Sequence, residues 1–178
     1  MIRDGCSTGT RKSDPAATNA LIFLHVGVLL LGIVAQHVVA SATGDGAPMK
    51  TFGVVVGLVT FAAVLGACTK PKLFKAVASA RFGVVSLTTL ALLSILGTVV
   101  LQSVSQEVLS TTYGSLTPLL EHLFLDDIFH SFGFAALLGM GSAALVATVF
   151  EKKRLTIRRY GILGAHLGCV VTLLGSAV

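Results

Sequence analysis

The chain has 178 residues, of which 54% are hydrophobic and 12% charged, with a formal net charge of +5. A water-soluble domain carries about 25% charged residues, so this chain has too little polar surface to solvate a globule, and lipid must replace water around much of it. Nucleic-acid binding is not the meaning of the positive charge, because Lys and Arg fall in short runs between apolar stretches and no aromatic residues interleave with them.

Five apolar segments follow in chain order. A bilayer core of about 30 Å takes about 20 helical residues. Ala20 to Ala42 meets that length, with His25, Gln36, His37 and Ser41 as its polar interruptions. Thr51 to Thr69 contains no charge, Phe82 to Leu101 is a third segment, Ser131 to Phe150 a fourth, and Gly161 to Val178 a short fifth. In hydrocarbon a helix satisfies its own backbone, whereas a strand needs a closed barrel. The expected fold is an all-α integral membrane bundle of five transmembrane helices. Three regions are expected: a tail over residues 1–19, a two-helix membrane hairpin over 20–69, and a three-helix membrane region over 70–178.

Charge sets the expected orientation. Arg3, Arg11 and Lys12 precede the first segment; Lys70, Lys72, Lys75 and Arg81 join the second to the third; Lys152, Lys153, Arg154, Arg158 and Arg159 join the fourth to the fifth. On the other side stands Lys50, while the long connection from Gln102 to His130 carries Glu107, Glu121, Asp126 and Asp127 without a basic residue. The positive-inside rule puts the N-terminus in the cytoplasm and the C-terminus outside, the topology of a multi-pass protein of a bacterial inner membrane. Ala40-Ser41-Ala42 has the small residues of a signal-peptidase site, but the preceding run is long and contains Gln36 and His37, so retention is expected. Cys6, Cys68 and Cys169 make no CxxC motif and fall on the reducing side or in the inner half of the membrane, so no disulfide is expected.

Within the long outer connection, Leu116, Leu119, Leu120, Leu123 and Phe124 recur at helical spacing, and Pro118 suits a first turn. An amphipathic outer helix near 115–125 is expected, lying in the headgroup layer or capping the bundle.

Histidines carry what chemistry the residues suggest. His25 and His166 each lie about five residues inside the cytoplasmic end of a helix of the same direction, so their imidazoles share one depth. His37 lies about 18 Å further along the first helix at 1.5 Å per residue, and His122 and His130 flank the outer end of the fourth. Two histidines facing each other across a helix pair are the usual axial ligands of haem b. Gly32, seven residues after His25 and on its face, offers a flat slot. The candidate haem-binding residues are therefore His166, His25, His37 and His130, with His166 and His25 as iron ligands. The competing expectation is that each intramembrane histidine merely hydrogen-bonds a neighbouring helix. Gly53-xxx-Gly57 and the glycines of the fifth segment suit helix packing. No phosphate loop, HExxH or nucleophile elbow is present, so a non-enzymatic chain is expected.

Several segments of the second half resemble the ResB/CcsB family of cytochrome c biogenesis proteins. They are Ser94-Ile95-Leu96-Gly97-Thr98 with Gln102 beyond it, Tyr113-Gly114, the run Leu123 to Ser131 with Phe132 and Phe134, then Gly161 and His166-Leu167-Gly168 through Leu173-Leu174-Gly175. The resemblance covers roughly residues 70–178 and implies haem delivery to apocytochromes c with a CcsA-like partner, with His166 as the membrane histidine of this side. The large extracytoplasmic domain of family members has no counterpart in these 178 residues, and two helices precede the matching region. A b-type cytochrome anchor, passing electrons between quinone and an outer c-type cytochrome or other redox partner, is a rival expectation. A structural or assembly subunit docking other membrane subunits is another.

Overall fold

The computed structural model describes residues 15–43, 49–151 and 168. Among them regular structure is entirely helical: α1 (Pro15–Thr43), α2 (Met49–Ala67), α3 (Pro71–Val77), α4 (Ala80–Val99), α5 (Gln106–Tyr113), α6 (Thr117–His122) and α7 (Phe132–Glu151). Three stretches are long and apolar enough to cross a membrane, Ala16–Thr43, Ala80–Val99 and Phe132–Phe150, with Thr51–Ala67 as a shorter apolar helix. The expected fifth span, with His166 and Cys169, lies outside the described residues.

The core is α7. Of its apolar stretch 78% is buried, against 17% in α1 and 22% in α4. Composition explains this, since Gly133, Ala135, Ala136, Gly139, Gly141, Ser142, Ala143, Ala144 and Ala147 project so little that neighbouring backbones close on the helix from several sides. Large side chains then point outward from the surrounding helices, among them Phe23, Leu31 and Val38 of α1 and Val84, Leu92 and Val99 of α4. That is the inverse of a water-soluble bundle, and it fits a hydrocarbon solvent.

Contacts set the helix directions. Gly32 of α1 abuts Gly133, and Gln36 reaches the amide of Phe132, so α1 runs antiparallel to α7. Gly97 of α4 meets Ile128 and Phe129 while Leu90 of α4 lies against Gly141, so α4 is antiparallel as well. Gly53 faces His130 and Gly57 faces Ala135, which makes α2 parallel to α7. Directions alternate as the apolar segments require. However, α1 and α2 each pack along α7 and not along one another. The small-residue face of α7 offers each of these two helices close backbone contact.

Two connections differ from expectation. The basic stretch after α2 contains α3, started by Pro71 in its first turn, and Ser79 then caps α4 by accepting from the amide of Phe82 at 3.2 Å. The long connection holds two short helices in place of one: α5 ends at Gly114, a 3-10 turn covers Gly114–Leu116, and α6 starts with Pro118 in its first turn. Phe124 adopts a left-handed φ of 51°, and the amides of Phe124 and Leu125 turn back onto the carbonyls of Glu121 and Leu120. The helix therefore stops at His122, short of the expected residue 125. Leu116, Leu119 and Leu123 remain an exposed apolar row, as an amphipathic outer element demands.

Candidate functional site

Polar side chains gather at two levels of the bundle. Toward the α3 end, His25 is 1% exposed. Its Nδ1 donates to the carbonyl of Leu21 at 2.7 Å, which leaves Nε2 as the acceptor, and the Ser86 hydroxyl on α4 donates to Nε2 at 2.8 Å. The ring lies 5.4 Å from that of Phe82. Phe82, Ser86, Leu90 and Gly97 form the buried face of α4, so Ser86 was a polar residue in an apolar stripe at the depth of a histidine. That pattern was the available signal for a His–Ser pair, and sequence reasoning did not use it.

At the opposite end, where α4 stops and α7 starts, the chain ties a knot. The side chain of Gln102 donates to the carbonyls of Val100 (3.0 Å) and Leu125 (2.9 Å), and its Oε1 accepts from the amide of Ile128 at 2.9 Å. Ser103, at a left-handed φ of 53°, donates its amide to Asp126 O at 2.8 Å and its hydroxyl to Asp127 Oδ1 at 3.2 Å. Asp127 Oδ1 also accepts from Nδ1 of His130 at 2.5 Å. The hydroxyl oxygen of Tyr113 accepts from the amide of Leu101 at 3.1 Å. Gln36 of α1 joins by accepting from the amide of Phe132 at 3.0 Å. Alongside, His37 donates Nε2 to the carbonyl of His122 at 2.9 Å, and its ring lies 4.6 Å from, and tilted to, the rings of both His122 and Phe124.

Residues 80–155 match the family model of the ResB-like family. No curated protein and no solved structure matches the chain. The matched segment is less than half of the chain and is shorter than the resemblance over residues 70–178 suggested. It contains α4 to α7, hence the knot apart from Gln36: Gly97, Gln102, Tyr113, Asp126, Asp127 and His130 are scattered over the sequence of the ResB-like segment and meet at one end of the bundle. Helices α1 and α2 lie outside that segment, yet they cover its central helix.

A ResB-like segment directs attention to haem, and the histidines differ in what they offer it. At His25 the tautomer suits a ligand, but Ser86 occupies the Nε2 lone pair in a closed core. The flat slot expected beside Gly32 does not exist, because a Cβ there would stand 2.5 Å from the Cα of Gly133. Haem does not fit at His25 unless α1 leaves α4 and α7. At His37 the carbonyl of His122 takes the Nε2 proton. His130 is different: its Nδ1 is held by Asp127, its side chain is 35% exposed, and Nε2 has no hydrogen-bond partner among the described residues. Its donor set fits a single iron ligand. His166 lies outside the described residues. No three His, Cys, Asp or Glu side chains among the described residues converge to hold a metal ion.

Asp126 sits in the knot with Oδ1 buried and unpartnered among the described residues. Burial raises its pKa above the ordinary carboxylate range; its own backbone amide pulls the other way, and the charges of Asp127 and Glu121 add to the rise. The folded chain thus holds this proton more tightly than the unfolded one. The stabilisation is complete below the ordinary carboxylate pKa and is lost as pH rises through the elevated folded value. Asp126→Asn should flatten the dependence of thermal stability on pH, measured from roughly pH 4 to pH 7. An unchanged slope would show that Asp126 titrates normally.

Proposed function

We propose that the chain is a membrane haem-handling subunit of cytochrome c biogenesis, working with a CcsA-like partner in a bacterial inner membrane, N-terminus inside. The observation that carries this reading is the ResB-like match over residues 80–155. The convergence of its motif residues on one knot supports it, since such over-determined loops with left-handed Ser103 and Phe124 cluster at functional sites. His166 is the membrane histidine that the family resemblance assigns to haem. His25 takes part only if Ser86 is displaced.

Deleting the gene in its own host should abolish covalent haem in the c-type cytochromes, read by haem-dependent peroxidase staining of denaturing gels. The wild-type gene should restore it. Cytochromes matured to the normal level in the deletion strain would sink the proposal. A second reading, an assembly subunit that binds no haem, is favoured by the closure of His25 against Ser86. In that case a variant with His25, His37, His130 and His166 all replaced by Ala complements the deletion fully.

A further inference from the structure

The connection from α2 to α4 is the most cationic stretch among the described residues. Lys70, Lys72, Lys75 and Arg81 fall within twelve residues, and no Asp or Glu occurs between Lys50 and Glu107. None of the four makes an ion pair among the described residues. A loose loop with the same charges would set membrane orientation equally well. This connection is instead bonded throughout. The amides of Cys68, Thr69 and Lys70 close onto carbonyls in the last turn of α2. Phe74 donates to Lys70, Ala78 to Phe74 and Gly83 to Ser79, so one ladder runs through α3 into α4.

The ladder presents the charges on a defined face. α3 packs on α7 and α4, with Phe74 and Val77 half-buried and Ala78 buried. Its other side is exposed and carries Lys72, Leu73, Lys75 and Ala76, with Lys72 and Lys75 one turn apart. Arg81 stands in the first turn of α4, which holds no acidic residue, although the helix dipole disfavours a cation there. Folding alone gives no reason for this charge distribution, whereas an anion from outside the chain does.

Two features select the kind of anion. The apolar helices α2 and α4 end and begin at this ledge, so it lies where hydrocarbon gives way to headgroups. Leu73 is 44% exposed beside the lysines, which suits acyl chains under a headgroup layer better than a water-soluble acidic partner. We propose that the ledge formed by Lys70, α3 and Arg81 is a binding surface for anionic phospholipids. The cations take the headgroup phosphates through charge-assisted hydrogen bonds, and Leu73 rests on the acyl chains. A zwitterionic headgroup adds an ammonium for which the stretch from Lys70 to Arg81 has no carboxylate. The site needs only the membrane location of the chain and stands apart from the haem-handling reading.

The test releases the full chain from mixed micelles of phosphatidylglycerol and phosphatidylcholine and counts the retained lipids by native mass spectrometry. Wild type should retain phosphatidylglycerol preferentially, and raised salt before release should diminish the preference. The Lys70→Gln, Lys72→Gln, Lys75→Gln triple variant keeps helix propensity, and its preference should fall by about fivefold per lysine. Arginine at the same three positions should preserve it. Leu73→Gln leaves the charge, and hence the orientation in the membrane, unchanged and should still lower phosphatidylglycerol retention. A Lys152→Gln, Lys153→Gln, Arg154→Gln variant removes equal charge after α7 and should keep most of the preference. Equal retention of both lipids by wild type, or equal losses in the two glutamine variants, overturns the site. Displacement of the lipid by soluble glycerol phosphate also overturns it, since the ledge would then be a site for a free anion.

Discussion

Gly139→Leu should unfold the bundle under detergent conditions that leave the wild-type protein intact. A Cβ at residue 139 would collide with the carbonyl oxygen of Gly57 and stand 3.1 Å from both the carbonyl carbon of Gly57 and the amide nitrogen of Phe61. These are main-chain atoms of α2, which cannot swing aside as a side chain does. The approach is mutual, since a Cβ on Gly57 would meet the carbonyl oxygen of Ala135 at 3.1 Å. To admit a leucine, α2 must leave the face of α7 along several turns. Overpacking in a dense interior costs about 1–3 kcal/mol, and a clash with backbone on both sides belongs at or above the top of that range. The control is Gly83→Ala, where nothing lies within 4 Å of the added Cβ, and which gains helix propensity of about 0.5–1 kcal/mol. Folded fractions measured by size exclusion after graded heating in detergent should separate the two variants widely. A Gly139→Leu protein as stable as Gly83→Ala would falsify the close α2–α7 contact.

The second large effect is expected at Gln102. Gln102→Leu preserves volume but removes two donated bonds and one accepted bond, leaving the carbonyls of Val100 and Leu125 and the amide of Ile128 without their partner. Each buried group left unsatisfied costs about 1–3 kcal/mol, less where water reaches it. Gln102 is only half-buried, so a total near 2–4 kcal/mol is reasonable. The loss should be local. Amide exchange at Ile128 and His130 should accelerate by roughly 30-fold or more, the factor that about 2 kcal/mol implies, while exchange at Leu137 and Ala143 in the middle of α7 stays slow. Gln102→Glu separates the contributions, because a carboxylate still accepts from Ile128 but faces two carbonyls it cannot donate to. It should destabilise the knot at least as much as leucine. Uniform acceleration along α7 would mean that the knot and the bundle open together.

How far the sequence carried can be judged at particular residues. The apolar lengths that identify α1, α4 and α7 are long-range averages, and averaging makes them robust to any one side chain. Gly53 and Gly57 were legible as a packing pair, and they face His130, just before α7, and Ala135 within it. The leucine row of the outer connection was legible as amphipathic. The separate α5 ahead of it and the stop of α6 at His122 were not, because Gly114 and Phe124 interrupt the helix through positive φ angles that periodicity does not register. The motif residues Gln102, Tyr113 and His130 were recognisable as members of a family pattern, but their convergence was invisible, since the bonds that Gln102 and Tyr113 make to Leu101, Leu125 and Ile128 span up to 26 residues.

By itself, then, the chain's composition determined a helical membrane protein: polar surface is too scarce for water, and only helices of these lengths satisfy their backbone in lipid. Its spacing determined that His25, Gly32 and Gln36 share one face of α1. Tertiary structure alone decided what meets that face. It put Ser86 on His25, the backbone of Gly133 on Gly32 and the amide of Phe132 on Gln36, so the groove that spacing suggested for haem is filled by protein. The reason is physical. Periodicity orients a side chain about its own helix axis, whereas the partner on that side depends on how small residues let a different helix approach, and here the small residues belong to α7.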